Sequence, residues 1–297
     1  MKFLIINFGI HILLLSYNIV EIFGDEEEFD VDSNILDHKV FYCKPDLCKI
    51  WNGTDYNYLK HIGCNNDGEF GSDCPTDATM VDMNQRRINL ILDLHNIARN
   101  KIAMGEVPGF EPAENMPVLK WDNELQFLAG LNAKRCRFEH DMCRNTDKFE
   151  ISGQNVGISW QKPAFHSNSK RIKLIVGLWF NEHKDANQSF IDAYEDRTDG
   201  KKIGHFTLMV SDRVKKVGCS AVRFSNDIRG RALYVVCNYD YNSIYGESIY
   251  KSGPSASNCD FRKSGRYRGL CDYDADYDES DESNEIDKNL LEISELL

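Results

Sequence analysis

Two apolar runs in the second half of the chain predict an antiparallel β-hairpin. Val217–Phe224 and Ala232–Tyr239 are rich in β-branched and aromatic residues, and a connector of turn-forming residues separates them. Cys219 and Cys237 lie within the two runs, where a disulfide would cross-link the strands. His205 lies just upstream of the hairpin, so we expect polar groups from elsewhere in the chain to meet at this histidine.

Helical periodicity appears further upstream. Residues 83–104 carry their apolar side chains on one helical face, and Asp82 is the predicted N-cap of this helix. Asp122 is the predicted cap of a second helix. Residues 153–160 then have the composition of a turn that enters a strand. Helices and strands therefore share one core.

A third helix is predicted over residues 171–184. Its inner face would carry Leu174, Ile175, Leu178 and Trp179, and Glu182 falls on the same face. A carboxylate on a buried face is costly unless it is paired. We therefore expect Glu182 to have a polar partner from another part of the chain.

The first residues of the chain are typical of a secretory signal peptide. A lysine follows Met1, an apolar run comes next, and Gly24 precedes an acidic stretch. No later segment is apolar enough to span a bilayer, so we expect an extracellular protein without stable membrane insertion. The predicted organisation is a signal peptide (1–24), an acidic leader (25–42), a cysteine-rich segment (43–80), a main domain (81–250), a short disulfide-closed extension (251–271) and a disordered acidic tail (272–297).

Cysteine usage agrees with secretion. The chain has ten cysteines, an even number, and all of them follow the predicted signal peptide. There is no Cys-x-x-Cys pair, which favours disulfides over a thiolate metal site. Spacing leaves the pairing open, although Cys259 and Cys271 are placed to close a small loop on each other.

The formal net charge of −12 at pH 7 is concentrated at the two ends of the mature chain. The leader and the tail hold most of the excess acids, so the body is mildly basic. Nucleic-acid binding requires a dense basic face, which the sequence does not have. The flexible acidic tail would either dock on a basic surface of a partner protein or simply improve solubility.

Two kinds of covalent modification are predicted from local sequence. Asn52 and Asn187 each begin an N-glycosylation sequon in polar surroundings. Tyr273 and Tyr277 are flanked by acidic residues in a secreted chain, which is a suitable context for tyrosine sulfation. Both modifications would lie on the surface.

Three residues form the candidate site. His140 lies between two cysteines, Glu182 is on the third helix, and His205 precedes the hairpin. Two imidazoles and a carboxylate would suit Zn²⁺ or Cu²⁺, with water in the open position. The alternative is a buried hydrogen-bond network without a metal, and spacing alone favours that alternative. His95 lies on the apolar face of the first helix, where a hydrogen-bonded core histidine is expected.

Short motifs along the chain also carry a family resemblance. Seven of them are His95-Asn-x-x-Arg99, Cys136-x-x-x-His140, Gly153-Gln154-Asn155-Val156, Trp179-x-x-Glu182, Gly204-His205-Phe206-Thr207, Gly218-Cys219 and Val236-Cys237-Asn238-Tyr239. In this order they resemble the CAP superfamily of cysteine-rich secretory, antigen 5 and pathogenesis-related proteins, and in particular the insect antigen 5 branch of venoms and saliva.

The resemblance implies an α/β fold, an α-β-α sandwich with a disulfide-rich N-terminal segment. It implies the pairs Cys43–Cys64, Cys48–Cys143, Cys74–Cys136 and Cys219–Cys237, with Cys259–Cys271 as an additional pair. It also implies a cleft with two histidines and two acids, which map here onto His140, His205 and Glu182. Gln154 stands where the second acid would be, and this should weaken a cation site.

The resemblance implies a secreted, non-enzymatic effector of saliva, venom or another gland secretion. Such a protein would bind a lipid, sterol or eicosanoid, a metal ion, or a host extracellular protein. It would bind IgE as an allergen when it is injected. No cofactor is required, although Zn²⁺ or Cu²⁺ would fit the cleft. The alternative is a metal-dependent hydrolase that uses His140, Glu182 and His205, with Glu182 as the general base.

Overall fold

A five-stranded sheet built on the predicted hairpin is the centre of the fold. The computed structural model describes residues 41–51, 53–162 and 166–273. The described helices are α1 (Gln85–Ala103), α2 (Asn123–Ala133), α3 (Asn168–Asn181), α4 (Gln188–Asp192) and α5 (Gly204–Met209). The described strands are β1 (Lys49–Trp51), β2 (Tyr56–Tyr58), β3 (Thr79–Met80), β4 (Lys120–Trp121), β5 (Gly153–Gln161), β6 (Lys216–Asn226), β7 (Gly230–Tyr239), β8 (Arg262–Lys263) and β9 (Cys271–Asp272).

The hairpin prediction is confirmed. The strands β6 and β7 pair antiparallel, and Cys219 lies directly opposite Cys237, to which it is disulfide-bonded. The strand order is β3-β6-β7-β5, and β4 runs parallel to β6 at the other end of that strand. The hairpin therefore supplies the two central strands of the sheet.

Side-chain alternation along the hairpin divides the core into two layers. Val235 and Cys237 face the larger core, which also contains buried residues of α1, α3 and α5. Tyr234 and Val236 point to the opposite face, where they pack with Ala129 of α2. Helices thus cover both faces of the sheet, and the predicted α-β-α sandwich is confirmed.

The first two helices begin where capping side chains satisfy their free backbone N–H groups. Asp122 caps α2 as predicted, since its carboxylate accepts from the N–H of Leu125 over 2.9 Å. The predicted cap of α1 was wrong. Asn84, and not Asp82, has the extended backbone of an N-cap, and its side-chain oxygen accepts from the N–H of Arg87 over 3.2 Å.

The third helix differs from its prediction at both ends and in its inner face. It starts at Asn168 and ends at Asn181, so Glu182 lies in a following 3₁₀ turn. Ile175 and Trp179 are buried, as the core requires. Leu174 and Leu178, which the periodicity placed inside, are 51% and 56% exposed. The apolar stripe of this helix is wider than the face that packs on the sheet.

Five disulfides secure the fold. The bonds are Cys43–Cys64, Cys48–Cys143, Cys74–Cys136, Cys219–Cys237 and Cys259–Cys271. This is the pairing that the family resemblance implied. Three of the five fasten the cysteine-rich N-terminal segment, which has little regular structure of its own, to itself or to the main domain.

The acidic tail begins later than predicted. Asp272 was assigned to the tail, but it is 3% exposed, lies in β9 and pairs with Arg262 over 2.9 Å. Tyr273 also packs against the body, because its hydroxyl donates to the carbonyl of Lys215 over 3.2 Å. The predicted signal peptide, the leader up to residue 40, the rest of the tail with Tyr277, and the sequon residue Asn52 lie outside the described residues. The last leader residue, Tyr42, is 2% exposed and so belongs to the folded body. Within the described part of the chain, the helices are too short or too polar to cross a membrane.

Candidate functional site

Both candidate histidines line one cavity at an edge of the sandwich. The cavity has a volume of about 620 Å³, and its wall includes His140, Gln154, Asn155 and His205. The strand β5 supplies Gln154 and Asn155, and the first turn of α5 supplies His205. The third candidate, Glu182, does not line the cavity wall but lies behind His205. The fold therefore brings together residues that are far apart in sequence.

Glu182 has the partner that its position required. Its Oε1 is 2.6 Å from Nδ1 of His205, and its Oε2 accepts from the backbone N–H groups of His205 and Phe206 over 2.9 and 3.2 Å. The carboxylate thus caps the start of α5, where its negative charge is favourable. The Trp179 ring stacks on the imidazole with 5.8 Å between ring centres. These contacts hold the His205 ring in one orientation, with Nδ1 as a donor.

The amide of Gln154 holds the second imidazole. Its Oε1 lies 2.9 Å from Nδ1 of His140, and its Nε2 donates to Asp141 and Asn238 over 2.6 and 2.9 Å. Because both acceptors fix the NH₂ end of the amide, the oxygen must face the histidine. Nδ1 of His140 is therefore the protonated nitrogen, and its Nε2 carries the free lone pair.

Asp141 is a buried acid that no sequence motif indicated. It is 6% exposed, and Arg144 and Asn132 donate to its two carboxylate oxygens over 2.7 and 2.8 Å. Gln154 donates to the same carboxylate. The one available signal was its position directly after His140. A negative charge is thus present next to Gln154, on the Asp141 carboxylate, which forms an ion pair with Arg144.

Burial dominates the protonation of His140. Desolvation lowers the pKa of its imidazole, and the nearby charges of Arg144 and His205 act in the same direction. The hydrogen bond that His140 donates to Gln154 and the charge of the Asp141 carboxylate oppose this effect. His140 is therefore neutral at physiological pH, which is the state that can bind a cation through nitrogen.

The two imidazoles of the cavity wall are the groups that could hold a cation. Each histidine has Nδ1 fixed by a side-chain oxygen, as metal-binding histidines usually have, and this leaves Nε2 as the ligand atom. Glu182 would orient His205 and would not be a ligand itself. Among the described residues, the group of ligand atoms within 4.8 Å of one another is Cys48, His61 and Cys143. Those two cysteines form a disulfide, so this group does not make a metal site.

His95 is a core residue, as predicted, and it is connected to the cavity wall. Its Nδ1 is 2.7 Å from the carbonyl of Ile91, and its Nε2 is 2.9 Å from the hydroxyl of Tyr239. Asn155 donates to the same hydroxyl over 3.1 Å. Both nitrogens of this fully buried ring are satisfied, so His95 has no lone pair for a ligand.

The predicted modification sites have different surroundings. Asn187 is exposed, and its Oδ1 caps α4 by accepting from the N–H of Ser189 over 3.0 Å. This leaves the Asn187 amide nitrogen available to carry a glycan. Tyr273 is partly buried, and its hydroxyl is engaged with a backbone carbonyl. Sulfation of Tyr273 would have to displace that contact.

The three-layer fold and the disulfide pattern define the class of protein as a CAP domain. The model of the CAP, cysteine-rich secretory protein family matches residues 92–239. The solved crystal structure of NaASP2 with Zn²⁺ superposes with a TM-score of 0.54 at 24% identity, covering 67% of this chain and 99% of that one. At that identity the superposition supports the fold alone.

Two curated relatives specify the family further. The antigen 5 like allergen Cul n 1 of Culicoides nubeculosus is 49% identical over 63% of this chain and 84% of its own. Venom allergen-1 of Aedes aegypti is 41% identical over 77% of this chain and 86% of its own. The chain therefore belongs to the CAP family, and these curated relatives are antigen 5-like and venom allergens.

Proposed function

We propose that this protein is a secreted, extracellular binding protein of the antigen 5 type and not an enzyme. It would be an effector in saliva, venom or another gland secretion. The names of its relatives as venom and antigen 5-like allergens support this role. Five disulfides also suit a protein that must persist outside the cell.

One observation carries the assignment of the cleft. His140 and His205 both line the cavity with Nδ1 fixed as a donor, so Nε2 is the atom that each can offer to a divalent ion. Zn²⁺ and Cu²⁺ are the ions that accept imidazole ligands most readily. We propose that the cleft binds such an ion weakly, because Gln154 supplies an amide where a carboxylate would add charge.

The contacts of Glu182 argue against a metal-dependent hydrolase. A general base must present a free lone pair to the attacking water. Three of the roughly four lone-pair sites of this carboxylate already accept from Nδ1 of His205 and from two backbone N–H groups. Glu182 also does not line the cavity wall. It therefore positions His205 and caps α5, and a hydrolytic reaction in the cavity would lack its base.

Native mass spectrometry of the secreted protein tests the proposal. We expect Zn²⁺ to bind the wild-type protein and the His166→Ala control, because His166 is exposed and lies outside the cavity wall. The double variant His140→Ala/His205→Ala should lose the ion. An unchanged zinc load in the double variant, or no load in wild type, would contradict a metal cleft.

The same spectra separate the other proposed ligands. A bound mass that matches a lipid, sterol or eicosanoid and survives in the double variant would make the protein a carrier. An empty protein would leave a host extracellular protein as the partner, to be sought by pull-down with the glycosylated chain. Binding of IgE is a separate consequence of injection, which sera from exposed hosts would measure.

A further inference from the structure

A second cavity lies where the cysteine-rich segment meets α2. Its volume is about 530 Å³, and its wall comes from the loop 63–69, from α2, and from Tyr42 and Ser220. We refer to it as the α2 cavity. It shares no wall residue with the cavity that contains His140 and His205. Its volume is within the range of about 300–1,000 Å³ that is usual for sites of small ligands.

The hydroxyl of Ser220 is a buried polar group that faces the α2 cavity. Ser220 is 6% exposed, lines the cavity, and has no hydrogen-bond partner for its hydroxyl among the described residues. Val222 and Phe224, which follow on the same face of β6, are apolar and pack in the core. Burying a hydroxyl without a hydrogen bond is unfavourable. This position therefore indicates a polar group that enters from the cavity.

Gly130 of α2 keeps the space in front of this hydroxyl open. A Cβ at Gly130 would lie 3.4 Å from Oγ and 3.8 Å from Cβ of Ser220, which are ordinary contacts. The packing would thus accept alanine, which favours a helix over glycine by about 1 kcal/mol. Two residues that are unfavourable for stability, Gly130 and Ser220, therefore meet at one point of the wall, as is expected at a functional site.

An aromatic ring and free amide groups form another part of the wall. Phe127 is 43% exposed, and its ring stacks on Tyr42 with 6.4 Å between ring centres. Oε1 of Gln126 accepts from the indole N–H of Trp121 over 2.8 Å, which leaves the NH₂ group of this amide available. The amide of Asn123 has no hydrogen-bond partner in the described part of the chain.

The charges of the wall nearly cancel. Asp67 and Glu69 supply two carboxylates, and Lys134 supplies an ammonium group that donates to the carbonyl of Gly68. The two acids would repel an anion, and the lysine weakens the attraction for a cation. The wall therefore favours a ligand without net charge.

The loop of the cavity wall is fixed by bonds within the protein. The disulfide Cys43–Cys64 holds its first turn. The Asn66 side chain donates to the carbonyl of Ile62 over 2.9 Å and accepts from the N–H of Gly68 over 2.9 Å. A wall that is already ordered loses little conformational entropy when a ligand binds.

We propose that the α2 cavity binds a neutral sugar unit of a glycan. The hydroxyl groups of a sugar both donate and accept hydrogen bonds, so they match the free groups of Ser220, Gln126 and Asn123. The C–H groups on one face of the sugar ring would pack against Phe127. A fatty acid or sterol would instead leave the buried Ser220 hydroxyl without a partner. This site is independent of the proposed metal cleft.

Saturation-transfer NMR of the full secreted chain tests the proposal, because it detects small molecules that contact the protein. The probes are the methyl glycosides of glucose, galactose, mannose and N-acetylglucosamine, with octanoate and tryptamine as probes of other chemistry. We expect at least one glycoside to bind. Ser220→Ala should weaken its affinity by about five- to tenfold, which corresponds to the loss of one hydrogen bond.

The variants separate binding from folding. Ser220→Ala should not reduce the free energy of unfolding, because the hydroxyl has no protein partner to lose. Gly130→Ala places a methyl group against Oγ of Ser220, so it should also weaken binding of the glycoside while the protein stays folded. If both variants bound the glycoside as tightly as wild type, the sugar site would not lie at Ser220.

Two exposed phenylalanines provide a matched control. Phe127→Ser should abolish binding of the glycoside, whereas Phe261→Ser, at a 53% exposed ring outside the cavity wall, should leave it unchanged. His140→Ala/His205→Ala should also retain the sugar, since those residues line the other cavity. Binding of none of the four glycosides, binding of octanoate or tryptamine alone, or loss of the sugar in the double histidine variant would overturn the proposal.

Discussion

Gln154 donates its side-chain amide to the buried carboxylate of Asp141, with 2.6 Å between Nε2 and Oδ2. This contact orients the amide oxygen toward His140 and so sets the protonated nitrogen of that ring. It also explains how the cleft tolerates an amide at this position. The Asp141 carboxylate already supplies an acid next to Gln154, and the Gln154 amide connects this carboxylate to His140.

The first prediction concerns the change of Gln154 to glutamate. A second carboxylate would face Asp141 at hydrogen-bond distance, and like charges at that separation raise the pKa of one of the two carboxyls. We expect Gln154→Glu to reduce the free energy of unfolding by about 1–3 kcal/mol at pH 7.5. The loss should shrink near pH 4.5, where the pair can share a proton.

Denaturant unfolding at the two pH values would measure this effect. Gln154→Met is the matched control, because it removes the amide without adding charge. The Gln154→Met variant should lose a similar amount of unfolding free energy at both pH values. A loss for Gln154→Glu that does not change with pH would show that the two carboxyl groups are further apart than the structure places them.

The second prediction concerns Arg99, which is fully buried in α1. Its Nε and both Nη atoms make five hydrogen bonds, at 2.8–3.0 Å, to the backbone carbonyls of Pro117, Met209, Ser211 and Val214. Burial lowers the pKa of this guanidinium to about 10, so it remains charged at neutral pH. The guanidinium thus joins the loop before β4 to the loop after α5.

Arg99→Met should therefore reduce the free energy of unfolding by about 3–5 kcal/mol, since it leaves buried carbonyls without donors. Arg99→Lys should recover little of this, because an ammonium has three donors and not five in a planar fork. Chemical unfolding would measure both. Arg86→Met, at an exposed position near the start of the same helix, should stay within about 0.5 kcal/mol of wild type.

The third prediction is a loss of stability in acid that depends on His95. Burial lowers the pKa of this imidazole from 6.5 to about 4. The unfolded chain therefore binds a proton between pH 6.5 and 4 that the folded chain does not. The contribution of His95 is complete above pH 6.5 and decreases by about 3 kcal/mol as the pH falls to 4.

Unfolding free energies measured from pH 4 to 7.5 would show this slope. His95→Gln should be less stable than wild type at pH 7.5, but its stability should depend less steeply on pH. His166→Gln, an exposed substitution, should leave the wild-type slope unchanged. If the His95 variant kept the full slope, carboxylates and not this histidine would control acid stability.

The fourth prediction compares two glycines where α2 approaches the sheet. A Cβ on Gly218 of β6 would lie 2.2 Å from the backbone nitrogen of Gln126 and 2.4 Å from the carbonyl of Asp122. A Cβ on Gly130 of α2 would lie 3.4 Å from Oγ of Ser220, which is an ordinary contact. Gly218→Ala forces backbones apart, whereas Gly130→Ala improves helix propensity.

We expect Gly218→Ala to reduce the free energy of unfolding by about 2 kcal/mol or more. Gly130→Ala should change it by less than about 1 kcal/mol in either direction. Thermal unfolding of the two variants under the same conditions would measure the difference. Equal effects would mean that the helix can move away from the sheet without penalty.

Local sequence signals predicted the longest elements of the fold, which are the first three helices, the hairpin and β5. The hairpin, its turn and its disulfide follow from two apolar runs with a cysteine in each, because strand pairing brings those cysteines opposite one another. Helix α2 begins after Asp122 as its capping chemistry required. The other disulfides were implied by the family resemblance, since cysteine spacing alone permits many pairings.

Packing decided the features that local signals misplaced. Leu174 and Leu178 follow the helical period, yet they remain exposed because no described layer lies over that side of α3. The cap of α1 moved from Asp82 to Asn84, since only the backbone conformation determines which side chain reaches the free N–H groups. The period of apolar residues identifies the apolar face of a helix, but the neighbouring elements determine which part of that face is buried.

The sequence alone therefore determined the fold class, the hairpin and the residue types of the cleft, because these depend on periodicity and on short motifs. Only the tertiary structure revealed that Gln154 donates a hydrogen bond to Asp141 and that the Glu182 carboxylate accepts from the ring and the backbone of His205. It also placed three lysines around the ring of Tyr273. These contacts join residues that are distant in sequence, and their geometry is set by the packing of whole elements.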